Sequence, residues 1–265
     1  MCAVRLAGTV EWTSAPTTSA PGTAILEAMV TAPAPTQPIT GKESSEVVSG
    51  PPSAAKYAAE AIGTFFLVFT IGAAVRSGSQ FAPLAIGAVL MVMVYAGGHI
   101  SGGHYNPAVT LSVLVRRRIT VRDASIYWIV QFGAGLLAAA VVRWIVDPAR
   151  ATTTVTMTLT GHALAAAFVV ELLFTFALCY VVLNVATSKN HPDNSYFGLA
   201  IGFTVLAGAF AVGSISGGAF NPSVTVGAAV MGMFAWPTLW VYLVAQVIAG
   251  AAAAVTFLAL NPDDK

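Results

Sequence analysis

The chain has 265 residues, of which 57% are hydrophobic and only 9% charged, and its mean hydropathy is +0.78. A soluble domain of this length carries roughly a quarter charged residues, so the composition excludes a soluble globular protein and leaves a membrane protein. A formal net charge of +1 points to no nucleic-acid partner, and two cysteines, Cys2 and Cys179, imply no disulfide framework.

Residues 1–55 read as a separate region. Seven of the 14 prolines lie there among Thr, Ser, Ala and Gly, with no sustained apolar period. Such a segment buries too little surface to offset its ordering entropy and is predicted to be a disordered N-terminal tail. Its apolar runs are short, Ala24-Ile25-Leu26 being broken at once by Glu27, which makes a poor signal peptide. A regulatory tail and a dispensable extension both fit it.

From Tyr57 onward long apolar runs predict spans at about 57–75, 81–98, 123–146, 162–186, 196–213 and 237–259. Each is near the ~20 residues that cross ~30 Å of hydrocarbon. Two further apolar stretches, Asn106–Val115 and 221–231, are too short to cross. Ten helical residues give roughly 15 Å, so these are predicted to be half-spanning, re-entrant helices that stop near the bilayer centre.

Each short stretch follows the same motif. His99-Ile100-Ser101-Gly102-Gly103-His104-Tyr105-Asn106-Pro107-Ala108-Val109-Thr110 returns 115 positions later as Ser214-Ile215-Ser216-Gly217-Gly218-Ala219-Phe220-Asn221-Pro222-Ser223-Val224-Thr225. Asn is a strong helix N-cap and Pro is favoured at the first helical position, so each copy reads as a loop that starts a helix. The repeat runs further: Ile126-Tyr127-Trp128-Ile129-Val130-Gln131 matches Val241-Tyr242-Leu243-Val244-Ala245-Gln246 at the same offset, with Gly135 and Gly250 following. Glu60-x3-Thr64-Phe65 matches Glu171-x3-Thr175-Phe176 at an offset of 111. Each half therefore holds three spans and one half-helix, repeat 1 over about 56–147 and repeat 2 over about 160–260, within one domain over 56–260. An odd number of crossings inverts the second half relative to the first, so the half-helices enter from opposite faces and meet near the midplane. The fold class is an all-α membrane protein of six transmembrane helices plus two re-entrant helices in an inverted repeat.

Arg116-Arg117-Arg118, Arg122, Lys42, Lys56, Lys189 and Lys265 fall on one side of this topology, against Arg76, Arg143 and Arg150 on the other. The first side, which carries both termini, is predicted to be cytoplasmic.

Non-helical backbone at membrane depth is tolerated only inside protein or along a water-filled cavity. Gly102-Gly103 and Gly217-Gly218 let the backbone turn and leave carbonyls free to face a lumen. Asn106 and Asn221 can cap their helices and still offer an N–H outward, two donors for the oxygen of a passing neutral molecule. Both half-helix N-termini carry partial positive charge, which opposes cations and protons. The pattern suits a small uncharged polar solute.

Two Asn-Pro loops in an inverted repeat of six spans, with Glu60 and Glu171 early in the first and fourth, resemble the major intrinsic protein (aquaporin) family over about residues 55–260. The resemblance implies a homotetramer of independently conducting barrels. It implies that Asn106, Pro107, Ala108, Asn221, Pro222 and Ser223 form the central constriction. It also implies that Glu60 and Glu171 support loops built on Gly102, Gly103 and Gly217. Counting from the motifs, the outer selectivity filter falls on Ile86, Ala209, Gly218 and Val224. Strict water channels of the family place an Arg where Val224 stands, with an aromatic and often a His nearby; glycerol conductors follow that Arg with an Asp, where Thr225 stands here. The filter is thus predicted to be wide and apolar, with no fixed cation, and open to urea, ammonia, hydrogen peroxide or short polyols besides water.

Other readings weigh against these. The Asn residues could be caps alone, and the two Glu could relay protons. His99 and His104 are too few for a metal site, and no cofactor is implied. Cys179 reads as packing, the Arg116–Arg118 run as a topology signal or a lipid contact, and Gly133, Gly135 and Gly250 as close helix packing. An ion-coupled secondary transporter also uses broken helices, but the spans supply only two acids for a driving ion. No enzyme motif is present. The expectation is a passive channel in the cell membrane.

Overall fold

The structure, a computed structural model, describes residues 52–146 and 156–264. The tail over 1–51 and the positions of Lys42, Arg150 and Lys265 lie outside the described residues.

Among the described residues, six helices are long and apolar enough to cross a membrane. They are α1 (Ser53–Arg76), α2 (Ala82–Ser101), α4 (Val121–Ile145), α5 (Gly161–Thr187), α6 (Phe197–Ser216) and α8 (Leu239–Leu260), the last entered through a 3-10 turn at Trp236–Thr238. Between them sit the short helices α3 (Pro107–Val115) and α7 (Pro222–Val230), nine residues each and so about 14 Å long.

The helices start and stop for local reasons. α1 begins at Ser53, ahead of the expected Tyr57, because Pro52 supplies a fixed φ and its carbonyl accepts the Ala55 N–H at 2.9 Å. α4 starts where the Thr120 hydroxyl accepts the Asp123 N–H at 3.1 Å. α2 and α6 each run three residues past their expected ends. They stop where Gly102 and Gly217 turn left-handed, at φ 90 and 88, and close on the carbonyls of Gly98 and Gly213.

The long helices pack as a ring in the order α4, α1, α2, α6, α5, α8. The half-helices fill the remaining side in crossed fashion, α3 of the first half against α8 and α7 of the second half against α4. At the middle of the ring α2 and α6 meet in backbone contact, since a Cβ on Gly202 would lie 2.5 Å from the Gly87 carbonyl oxygen. Ala, Val and Gly line these seams, while bulky apolar side chains face outward. Trp144, Phe81, Trp236 and Trp240 are the most exposed aromatic members of that outer surface, Trp144 being 85% exposed. A surface of this kind suits lipid rather than water.

Arginines cap the ends of the half-helices. Arg76 and Arg143 donate to the carbonyls of Met231 and Val230 at the C-terminus of α7. At the C-terminus of α3, Arg116 is itself buried and binds Thr187 and Asp264. Both placements put cations at negative dipole ends.

Candidate functional site

The two motif loops share one backbone course. Gly102, Gly103 and Tyr105 have φ of 90, 64 and 48; Gly217, Gly218 and Phe220 have 88, 65 and 47. Left-handed glycine is unstrained, but the same conformation in an aromatic residue costs about 1–3 kcal/mol and needs support. The chain then turns extended at Asn106 (φ −155) and Asn221 (φ −158), and Pro107 and Pro222 open the helices.

The support comes from two buried carboxylates. Glu60 accepts the Ser101 hydroxyl and the His104 N–H on Oε1, at 2.7 and 2.9 Å, and the Tyr105 N–H and Gln131 Nε2 on Oε2, at 2.7 and 2.8 Å. Glu171 repeats this with Ser216 and Ala219 on Oε1 and Phe220 and Gln246 on Oε2, all within 2.9 Å. Each oxygen receives two donors, the full capacity of an ionised carboxylate. The strained aromatic residue is thus held by its own N–H. Tyr127 and Tyr242 complete the frame by donating to the carbonyls of Ser101 and Ser216.

The asparagines act in two directions. Asn106 Oδ1 accepts the Ala108 N–H at 2.8 Å, and Asn221 Oδ1 accepts those of Ser223 at 2.9 Å and Val224 at 3.5 Å. Each Nδ2 then crosses to the other loop, Asn106 donating to the Phe220 carbonyl and Asn221 to the Tyr105 carbonyl, both at 2.9 Å. One N–H of each amide is left over.

A narrow cavity runs past these amides, and its lining is made of repeat mates. The aliphatic wall is Leu67 with Leu178, Ile71 with Val182, Ile86 with Ile201 and Leu90 with Val205. The loops add Gly103 with Gly218, His104 with Ala219, Asn106 with Asn221 and Val109 with Val224. The second member of every pair lies 111 or 115 positions after the first. The bore is therefore a pseudo-twofold tube, aliphatic on one side and amide, imidazole and loop backbone on the other. At one end it opens into a cavity of about 280 Å³ that contains Ile86, Gly218 and Val224 together with Ala209. At the other it meets a vestibule of about 690 Å³ that Lys56, Arg117 and Arg118 share with His99 and Gly102.

Pro107, Ala108, Pro222 and Ser223 are buried but stand behind the asparagines, outside the lining of the bore. The backbone of Ala108 lies against Gly250 and that of Ser223 against Gly135. The Ser223 hydroxyl is buried without a hydrogen-bond partner among the described residues. Four features of the site lie beyond the residues expected from the motifs: His104 in the bore, and the supporting residues Ser101 with Ser216, Gln131 with Gln246 and Thr110 with Thr225. Their signal was present, because each is a member of a repeat pair.

Comparison with known proteins finds matches over most of the chain. The family model described as Major intrinsic protein matches residues 43–257. A glycerol uptake facilitator protein-like 6 of Lactiplantibacillus plantarum is 37% identical over 219 residues, covering 79% of this chain and 99% of that protein. An aquaporin NIP1-4 of Oryza sativa subsp. japonica is 38% identical over 202 residues, 74% of this chain and 72% of the relative. Among solved structures, the aquaglyceroporin from Plasmodium falciparum superimposes with a TM-score of 0.65 at 20% identity, covering 78% of this chain and 96% of that one, a likeness of fold.

Proposed function

Since the chain belongs to the major intrinsic protein family and is a passive membrane channel for water and small solutes, we propose that its bore conducts water together with small neutral solutes such as urea, ammonia, hydrogen peroxide or a short polyol. The observation that carries this is the paired lining. Two Asn amides, each with one N–H free, face an aliphatic wall at the meeting point of two half-helix N-termini. A solute oxygen binds the amides while the wall accepts its apolar side. A cation there loses hydration, meets two positive dipole ends and finds no acidic side chain in the lining, so it is turned back.

The filter positions Ile86, Ala209, Gly218 and Val224 border an outer cavity of about 280 Å³ whose side chains are mostly aliphatic, aromatic or Met. With Val224 in place of a guanidinium this end admits solutes wider than water. A relative named for glycerol uptake supports a polyol among them. Glu60 and Glu171 serve as loop supports, since all their acceptor sites are occupied, and this argues against their binding a driving ion. The cytoplasmic end is the one with Lys56 and Arg116–Arg118, both termini lie on that side, the membrane is the plasma membrane, and the assembly is a homotetramer.

Light-scattering measurements on proteoliposomes test the filter reading. Wild type is expected to pass water and urea without any ion gradient, and Val224→Arg to suppress urea by about ten-fold more than water. An unchanged urea-to-water ratio in that variant would remove the filter assignment.

A further inference from the structure

We infer that the inner vestibule binds an organic phosphate monoester, free or in a lipid headgroup, held between Lys56, Arg117 and Arg118. The site does not depend on which solutes the bore conducts. The vestibule encloses about 690 Å³, a size within the ~300–1,000 Å³ of small-molecule sites. Lys56 reaches it from the first turn of α1, a turn with no acidic residue, and Arg117 and Arg118 from the connection between α3 and α4. The one carboxylate among the described lining residues, Asp123, already accepts the Tyr57 hydroxyl at 2.6 Å. With both histidines of the lining neutral, three cations against one carboxylate leave two positive charges. That excess matches the doubly charged form a phosphate monoester takes near neutral pH. Arg118 shares Asp264 with Arg116, at 3.4 Å, but the side chains of Lys56 and Arg117 have no hydrogen-bond or ion-pair partner among the described residues.

The repeat shows that the fold does not require these charges. Arg117 is left-handed, at φ 65, and the N–H groups of Arg117 and Arg118 close α3 on the carbonyls of Leu114 and Val113 at 2.9 and 3.0 Å. The second half makes the same turn at Gly232, φ 76, where Gly232 and Met233 donate to Ala229 and Ala228 at 3.0 and 2.8 Å. All four residues lie 115 positions after their mates. Glycine takes this conformation without strain, and a residue with a Cβ does not. An arginine therefore stands where the backbone favours glycine. The mates of Lys56 and Arg118 are Ala167 and Met233, which are likewise uncharged.

Membrane orientation calls for cations on this side, and Arg122 and Lys189 supply them from outside the lining. It does not call for a strained arginine inside a cavity. A guanidinium presents a fork of N–H donors to phosphate oxygens, and an ammonium adds a compact charge beside it. The rest of the space, bordered by Thr120 and Tyr127, takes the organic part of the ester.

Isothermal titration calorimetry on the full chain in detergent tests the site, with glycerol 3-phosphate as the probe and glycerol as the uncharged control. Wild type is expected to bind the phosphate saturably where glycerol gives no such signal. Arg117→Gly installs the residue that the second half uses at this turn, so it relieves strain while removing the guanidinium. It is expected to raise the dissociation constant by about ten-fold or more, the loss of a charge-assisted bond, and Lys56→Gln by about as much. Arg122→Gln removes a cation outside the lining and is expected to stay within about two-fold of wild type. Absence of saturable binding to wild type, or equal weakening in Arg122→Gln and Arg117→Gly, would overturn the site. Titration in phosphatidylcholine nanodiscs with and without phosphatidic acid separates the two sources. Probe binding lost in the presence of phosphatidic acid assigns the site to a lipid headgroup, and binding retained assigns it to a soluble ester. Flux plays no part in the readout, so failure here leaves the channel reading standing.

Discussion

Asn106 and Asn221 each cap their own half-helix and brace the opposite loop, the Asn106 amide donating to the Phe220 carbonyl and the Asn221 amide to the Tyr105 carbonyl at the same 2.9 Å. The residue that ends one loop thus fixes the backbone of the other. The two halves cannot separate at the midplane without exposing four buried polar groups. This couples the shape of the bore to the stability of the fold.

Asn221→Ala removes a cap, at about 1 kcal/mol, and leaves the buried Tyr105 carbonyl unpaired, at about 1–3 kcal/mol more. Thermal unfolding in detergent is expected to fall accordingly and water flux to drop. Asn221→Asp keeps the capping oxygen but loses the crossing N–H, so it should recover the cap's share alone. An Asp variant as stable as wild type would show that the crossing bond contributes nothing.

Glu171→Gln changes one oxygen for an amide while keeping the shape. Its new N–H groups face donors, either Ser216 and Ala219 or Phe220 and Gln246. Two charge-assisted bonds are lost and the left-handed Phe220 loses its hold, a penalty of about 3 kcal/mol or more. The measurable outcome is a lower unfolding temperature, matched by Glu60→Gln because the two networks are copies. A Gln variant of wild-type stability would mean that the carboxylate is not the support.

Much of this site is legible in the sequence, and the reason is the duplication. Helix spans, inversion and the Asn-Pro loops follow from periodicity and the 115-residue offset. Side-chain direction does not: Ala108 and Ser223 sit in the same motifs as the asparagines yet point their backbone at Gly250 and Gly135. The 115-residue offset already pairs His104 with Ala219, but only the three-dimensional bore shows that both positions line it. Likewise no local pattern links Arg116 to Asp264, 148 positions away.

Gly250→Ala and Gly133→Ala separate packing from propensity. Alanine favours a helix over glycine by about 1 kcal/mol, and at Gly133 a Cβ meets nothing within 4 Å. There the substitution is expected to be neutral or mildly stabilising. At Gly250 the Cβ would lie 2.6 Å from the Ala108 carbonyl oxygen, which belongs to a half-helix that cannot yield without moving Asn106. A loss of about 1–3 kcal/mol and a fall in water flux are expected, read by unfolding and by light scattering. Equal effects at the two sites would argue against the close contact of α3 and α8.

Asp264 gives the chain a pH-dependent clasp at its vestibule end. Burial alone would raise its carboxyl pKa, but the Ser188 hydroxyl, the Arg116 guanidinium and the Lys189 N–H outweigh this and hold it at about 2. Arg116 is fully buried, 2.9 Å from the carboxylate and 4.0 Å above the Phe257 ring, so this carboxylate is its counter-ion. A carboxyl whose pKa is depressed by folding stabilises the protein above its ordinary pKa near 4 and ceases to do so as the pH falls toward 2. The unfolding temperature of wild type in detergent should therefore decline between about pH 4 and 2 more steeply than that of Asp264→Asn. At neutral pH the Asn variant should be less stable by about 3 kcal/mol, because a buried guanidinium has lost its partner. Parallel curves for the two proteins across that acid window would show that the clasp is not a source of stability.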